Sequence, residues 1–109
     1  FISEYVKDRR FKLLIGHSPG LYYEKLKEAD IDLGICGHFH GGQVRLPFLG
    51  GLYSADYGLF PKYCEGMFQL EHGHLFVTRG LGNSHWLPRI NNRPELAVID
   101  IAGALEEEP

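Results

Sequence analysis

The chain has 109 residues, 44% of them hydrophobic, 13% aromatic and 23% charged, with 11 basic residues against 14 acidic and a formal net charge of −3. This is ordinary globular composition for one domain, which excludes collagen, coiled coil and intrinsic disorder, and the acidic balance excludes a general nucleic-acid sleeve. No apolar run approaches the roughly 20 residues of a membrane-spanning helix, and Cys36 and Cys64 are too few and too far apart for a disulfide scaffold or a zinc ribbon.

Residues Ile2 to Arg10 read equally well as the end of a helix or as an irregular lead-in. Phe11 to Ile15 is a short apolar run that predicts a buried strand, ending at the turn cluster Gly16-His17-Ser18-Pro19-Gly20. Leu21, Tyr22, Leu26 and Ala29 have helical spacing, so Leu21 to Ala29 is a predicted helix, with Ser18 and Pro19 suited to its cap and first turn. Ile31 to Cys36 is a second short strand. Strand, helix and strand on this scale imply a βαβ unit with parallel pairing. Gln43 to Phe48 alternates as a strand up to Pro47. Residues 49–66, with four glycines, one proline and four aromatic residues, read as a long surface loop. Met67 to Leu70 and Leu75 to Thr78 predict a hairpin turning at Gly73. Leu81 to Pro94 reads as loop, Glu95 to Ile101 as a final strand, and Glu106 to Glu108 as a solvated tail. The order is α/β first and mostly antiparallel strands afterwards. Beginning on Phe1, with its single methionine at Met67 and no signal peptide, the sequence reads as a processed product or a piece of a longer chain.

Both early strands end in glycine followed by histidine: Ile15-Gly16-His17 and Cys36-Gly37-His38. Ligand sites in open α/β sheets form at the carboxyl ends of strands, where loops converge on a rigid frame. The second run continues as His38-Phe39-His40-Gly41-Gly42-Gln43. Its two histidines share a face in a regular strand, or both turn inward if the glycines make the backbone irregular. Neutral imidazole is a common ligand for zinc, manganese and iron-class ions. A hydrogen-bonded turn residue is the plainer role for His17. His72 and His74 straddle the predicted hairpin turn and read as exposed. His85, beside Trp86 in a polar loop, is a weaker candidate for substrate contact. Cys36 and Cys64 read as small buried side chains, without the basic surroundings that lower a thiol pKa.

Three stretches carry a resemblance: residues 13–19 (LLIGHSP), residues 37–47 (GHFHGGQVRLP), and residues 78–84 (TRGLGNS) with Arg93-Pro94-Glu95. In this order they resemble the C-terminal half of a calcineurin-like metallophosphoesterase, of the branch of YkuE- and YaeI-type phosphodiesterases. The resemblance runs from Phe11 to Ile101. It implies an α/β (α+β) fold in which residues 1–109 supply the C-terminal part of a four-layer α/β/β/α sandwich. It also implies a binuclear centre of manganese, zinc or iron-class ions. His17 and His38 resemble ligands of one ion and His40 a ligand of the other, which makes His38 and His40 catalytic through the metal.

The Asp-x-His, Gly-Asp-x-x-Asp and Gly-Asn-His motifs of that family are absent from this sequence, so at most one ion is expected on this stretch alone. The expected function is therefore hydrolysis of a phosphoester, in particular a phosphodiester or a nucleotide-linked lipid, by the intact protein. The stretch alone is expected to be inactive. The alternative is a non-catalytic three-histidine metal-binding module. Arg45, Arg79, Arg89 and Arg93 have guanidinium groups suited to phosphate oxygens, with loop bracing as the competing role for Arg79 and Arg93; of the four, Arg45 joins His85 as a substrate-contact candidate. Without its N-terminal half, the sheet should expose apolar surface and favour self-association. Intact relatives are often membrane-associated or exported, and this sequence carries nothing that indicates its location.

Overall fold

Short apolar strands are stable only when they pair and when at least one face is covered. The computed structural model, which describes residues 2–54, 56–83 and 88–103, joins four of them in one mixed sheet. Their order is β1 (Leu13–Ile15), β2 (Leu33–Cys36), β8 (His74–Val77) and β7 (Gly66–Gln69). β1 and β2 are parallel, with Leu13 opposite Leu33 and Ile15 opposite Ile35, as a βαβ unit requires. β7 and β8 are the predicted antiparallel hairpin, closed by Leu70 N donating to Gly73 O at 2.8 Å. β8 also pairs in parallel with β2, so the hairpin extends the first sheet instead of starting a separate antiparallel one. The remaining elements are a short helix α1 (Ile2–Tyr5), a π-helical turn at Leu21–Lys25, a 3-10 turn at His40–Gly42, β3 (Arg45–Leu46), β4 (Gly50–Gly51), β5 (Tyr53–Ser54) and β6 (Gly58–Leu59). None of the described helices is long and apolar enough to cross a membrane.

The two sheet faces follow from the register. Leu14, Gly34, Leu75 and Phe68 lie in one row across the four strands. Tyr22 and Tyr23 cover this face, and Cys36, Leu70 and Val77 complete the core. Gly34 is required here, because a Cβ would come within 2.4 Å of the Tyr22 ring. Tyr22 donates its hydroxyl to Leu14 O at 2.7 Å, and burial pushes that hydroxyl up to about 12. Ile15, Ile35, Phe76 and Met67 form the corresponding row on the other face. There Ile15 is 72% exposed and Met67 54% exposed.

Three expectations need correction. The predicted helix over Leu21 to Ala29 is a single wide turn, with Leu26 N donating to Leu21 O at 3.2 Å; helical spacing there serves to bury Tyr22 and Leu26, Tyr22 against the sheet. The predicted loop over 49–66 contains three short strands: β4, which pairs back with β3, and β5 and β6, which pair with each other, both ladders antiparallel. The predicted strand over Glu95 to Ile101 has no ladder partner among the described residues. Its first residue is tied to the 78–80 segment, with Glu95 N donating to Gly80 O at 2.8 Å and its carboxylate accepting from Arg79 N at 2.9 Å. Leu96 and Val98 beyond it stand 82% and 86% exposed.

Candidate functional site

The parallel ladder continues past the ends of β1 and β2. Gly16 N donates to Ile35 O (2.9 Å), Gly37 N to His17 O (3.1 Å) and Thr78 N to Cys36 O (2.9 Å). His17 and His38 therefore leave neighbouring strands at the same level, and their rings lie 4.4 Å apart at an angle of 51°. This is the place in an α/β sheet where ligand sites form.

Beyond Cys36 the backbone is irregular, not strand-like. His38, His40 and Gln43 have φ of 77°, 50° and 61°, and Gly41 and Gly42 have φ of 65° and 81°. Left-handed conformations at non-glycine residues cost of order 1–3 kcal/mol each and persist only where the surroundings enforce them. Asn92 supplies much of that enforcement, its Nδ2 donating to His40 O (2.5 Å) and Gln43 O (3.0 Å). Arg45 Nη1 donates to Gly41 O at 3.1 Å. Gly42 lies so close to Gly51 that a Cβ would fall 2.5 Å from the Gly51 Cα. Phe39, between the two histidines, is buried against the edge of Tyr57.

His40 Nδ1 lies 3.0 Å from Gly82 O. A carbonyl only accepts, so Nδ1 carries the hydrogen and Nε2 keeps its lone pair. Burial is the largest force holding the His40 pKa below its ordinary value; the Gly82 carbonyl opposes it, while Arg89, His38 and His17 add to it. His38 Nε2 lies 3.2 Å from Asp56 Oδ2, and Ser18 Oγ donates to the same oxygen at 3.2 Å. Asp56 is the site residue that the sequence did not single out. It sits in the segment read as loop, and nothing in its immediate neighbours distinguishes it from a turn aspartate.

Among the described residues, no group of three or more histidine, cysteine, aspartate or glutamate side chains is arranged to hold a metal ion. The rings of His17 and His38 are brought together with Asp56 beside His38, and His40 does not join them in such a group; imidazole and carboxylate are donors of the kind a divalent ion takes, but they do not form a complete set here. The arginines are largely engaged with protein. Arg45 and Arg79 share Glu65 at 2.6 and 2.7 Å, and Arg79 Nε also donates to Arg93 O at 3.2 Å. Arg89 binds the carbonyls of Arg79, Gly80 and Gly82. His85 lies outside the described residues. His72 and His74 are exposed at the hairpin. Cys36 and Cys64 are buried free thiols, pushed up to about 12 and about 11 by burial.

Three curated proteins are similar to this chain. The chain is 36% identical over 96 residues to the uncharacterized metallophosphoesterase YkuE of Bacillus subtilis, covering 88% of this chain and 32% of that protein. It is 32% identical over 90 residues to phosphodiesterase YaeI of Escherichia coli, covering 83% and 32% respectively. A second Bacillus subtilis protein, the uncharacterized metallophosphoesterase YkoQ, is 25% identical over 91 residues, covering 84% and 33%. The resemblance carried by the motifs is borne out by these relatives, and the chain spans about a third of their length. No family model and no solved structure matches the chain.

Proposed function

We propose that this sequence is the C-terminal part of a metal-dependent phosphoester hydrolase of the phosphodiesterase kind. His17 and His38 serve one divalent ion and His40 a second, both of the manganese, zinc or iron class. The observation that carries this reading is the adjacency of the His17 and His38 rings, 4.4 Å apart at the carboxyl ends of paired parallel strands. The names of the relatives, a phosphodiesterase among them, support the reaction class. The bridging carboxylate and the other donors come from the additional length those relatives carry, which also completes the layered sandwich over the open sheet face.

Each residue has a definable task in this reading. His40 offers Nε2, because burial, with the Arg89 guanidinium nearby, disfavours its protonation. Asp56 fixes the His38 ring from its Nε2 side, as carboxylates beside ligand histidines do, leaving Nδ1 as the donor. Ser18 in turn holds Asp56. When bound, two ions make hydroxide available near neutral pH and neutralise charge on the transition state. The substrate is a phosphodiester or a nucleotide-linked lipid, with Arg45 and His85 as candidate contacts.

The test is hydrolysis of bis(p-nitrophenyl) phosphate by the complete protein containing this sequence, after chelation and across titrations of manganese, zinc and ferrous iron. Activity should vanish on chelation and return with at least one ion. Metal uptake without hydrolysis would instead support the three-histidine binding module, and metal-independent hydrolysis would contradict both.

A further inference from the structure

A cavity of about 550 Å³ is lined by Arg45, Arg79, Arg89, Arg93, Asn91 and Asn92. Among the described residues its four arginines face two carboxylates, Glu65 and Glu95, and Glu95 acts on Arg79 alone. Glu65 is shared between Arg45 and Arg79, while Arg89 and Arg93 have no carboxylate partner among the described residues. Arg89 is the informative one. Its Nε and Nη2 are fixed on the carbonyls of Arg79, Gly80 and Gly82 at 2.6–3.0 Å, so the guanidinium cannot turn away. Its Nη1 is buried and has no hydrogen-bond partner among the described residues. A guanidinium held rigidly in the wall of a cavity, with no carboxylate beside it, favours an anion there. Guanidinium forks match tetrahedral oxyanions in both shape and charge.

The cavity and the histidines share a wall. Gly82 O accepts from Arg89 Nη2 at 2.6 Å and faces His40 Nδ1 at 3.0 Å, and Asn92, a lining residue, bonds the carbonyl of His40. We infer that the arginine cavity is a second anion subsite, which takes a phosphoryl group other than the one attacked, so that the substrate is a phosphodiester carrying an additional phosphate. The role in hydrolysis rests on the phosphodiesterase reading; the binding of a phosphoryl oxyanion does not.

Two arms test it on the complete protein. In the first, with metal removed by chelator, calorimetry measures binding of inorganic phosphate. Arg93→Gln is the variant of choice, because the Arg93 side chain is exposed and makes no hydrogen bond among the described residues. Affinity should fall at least tenfold in Arg93→Gln and in Arg89→Lys, with thermal melts checking that each variant folds. In the second, kcat/KM is compared for an aryl phosphodiester with and without an added phosphomonoester, at saturating metal. The doubly phosphorylated compound should be favoured at least tenfold, through KM, and Arg93→Gln should reduce that preference at least fivefold. No phosphate binding, or binding indifferent to both substitutions, overturns the subsite. Arginine-dependent phosphate binding with no substrate preference overturns the second-phosphate assignment and leaves a site for free phosphate. Arginine-dependent binding with neither compound hydrolysed supports the subsite and contradicts the phosphodiesterase reading instead.

Discussion

His38 with His40, and His72 with His74, have the same spacing and opposite surroundings. The first pair sits past the end of β2, in a loop with positive φ at both histidines, at both glycines and at Gln43, held by Asn92 and Arg45. It has His17 at one side and Asp56 at the other. The second pair lies at and just after a hairpin turn, exposed, in ordinary backbone. Spacing alone therefore carries little chemistry. A polar pair becomes a site when neighbouring segments over-determine its conformation and leave its lone pairs facing one region.

The largest effect should come from breaking the first pair. In the complete protein, His38→Ala and His40→Ala are each expected to lower metal-dependent phosphodiester hydrolysis by more than the roughly 10–100-fold that loss of even an outer-shell partner brings. Steady-state rates with metal content measured on each variant check this. Gly42→Ala comes next. Its φ of 81° disfavours any side chain, and the new Cβ would meet the Gly51 backbone. A loss of about 1–3 kcal/mol is expected from denaturant melts, and an unchanged midpoint would mean that the loop is not held as described.

A smaller effect comes from pH. Because the folded His40 pKa lies below its ordinary 6.5, the folded state binds fewer protons than the unfolded chain between the two values. That contribution to stability is full above about pH 6.5 and is lost as pH falls through the folded pKa. Melts at pH 8 and pH 5 should show the loss, and His40→Gln should reduce it. The smallest effects belong to the hairpin pair: His72→Ala and His74→Ala should stay within about 0.5 kcal/mol in stability and leave the rate nearly unchanged.

What was legible in the sequence was local. The β1–β2 unit and the β7–β8 hairpin followed from short apolar runs punctuated by glycine, and the histidine loop from its glycines. The relations between distant segments were not legible. Glu95 to Ile101 has strand composition, but a strand exists only with a partner, and Glu95 is tethered to Arg79 and Gly80. The Leu21 to Ala29 pattern of buried positions was real, yet packing of Tyr22 over Gly34 accompanies only one wide turn. Asp56 reaches His38 through the fold, from a stretch whose composition suggests a turn. Arg45 and Arg79 look like unengaged guanidinium groups in the sequence, and only the fold shows Glu65 between them, taking part of the charge of each.

The central claim, that environment makes one histidine pair a metal site and leaves the other inert, is tested most directly by metal uptake. Two double variants of the complete protein, His38→Ala with His40→Ala and His72→Ala with His74→Ala, are loaded with manganese, dialysed and analysed for bound metal by mass spectrometry. The first should lose most of the metal that the unaltered protein retains, and the second should retain all of it. Retention of metal by the first, or its loss from the second, would contradict the account.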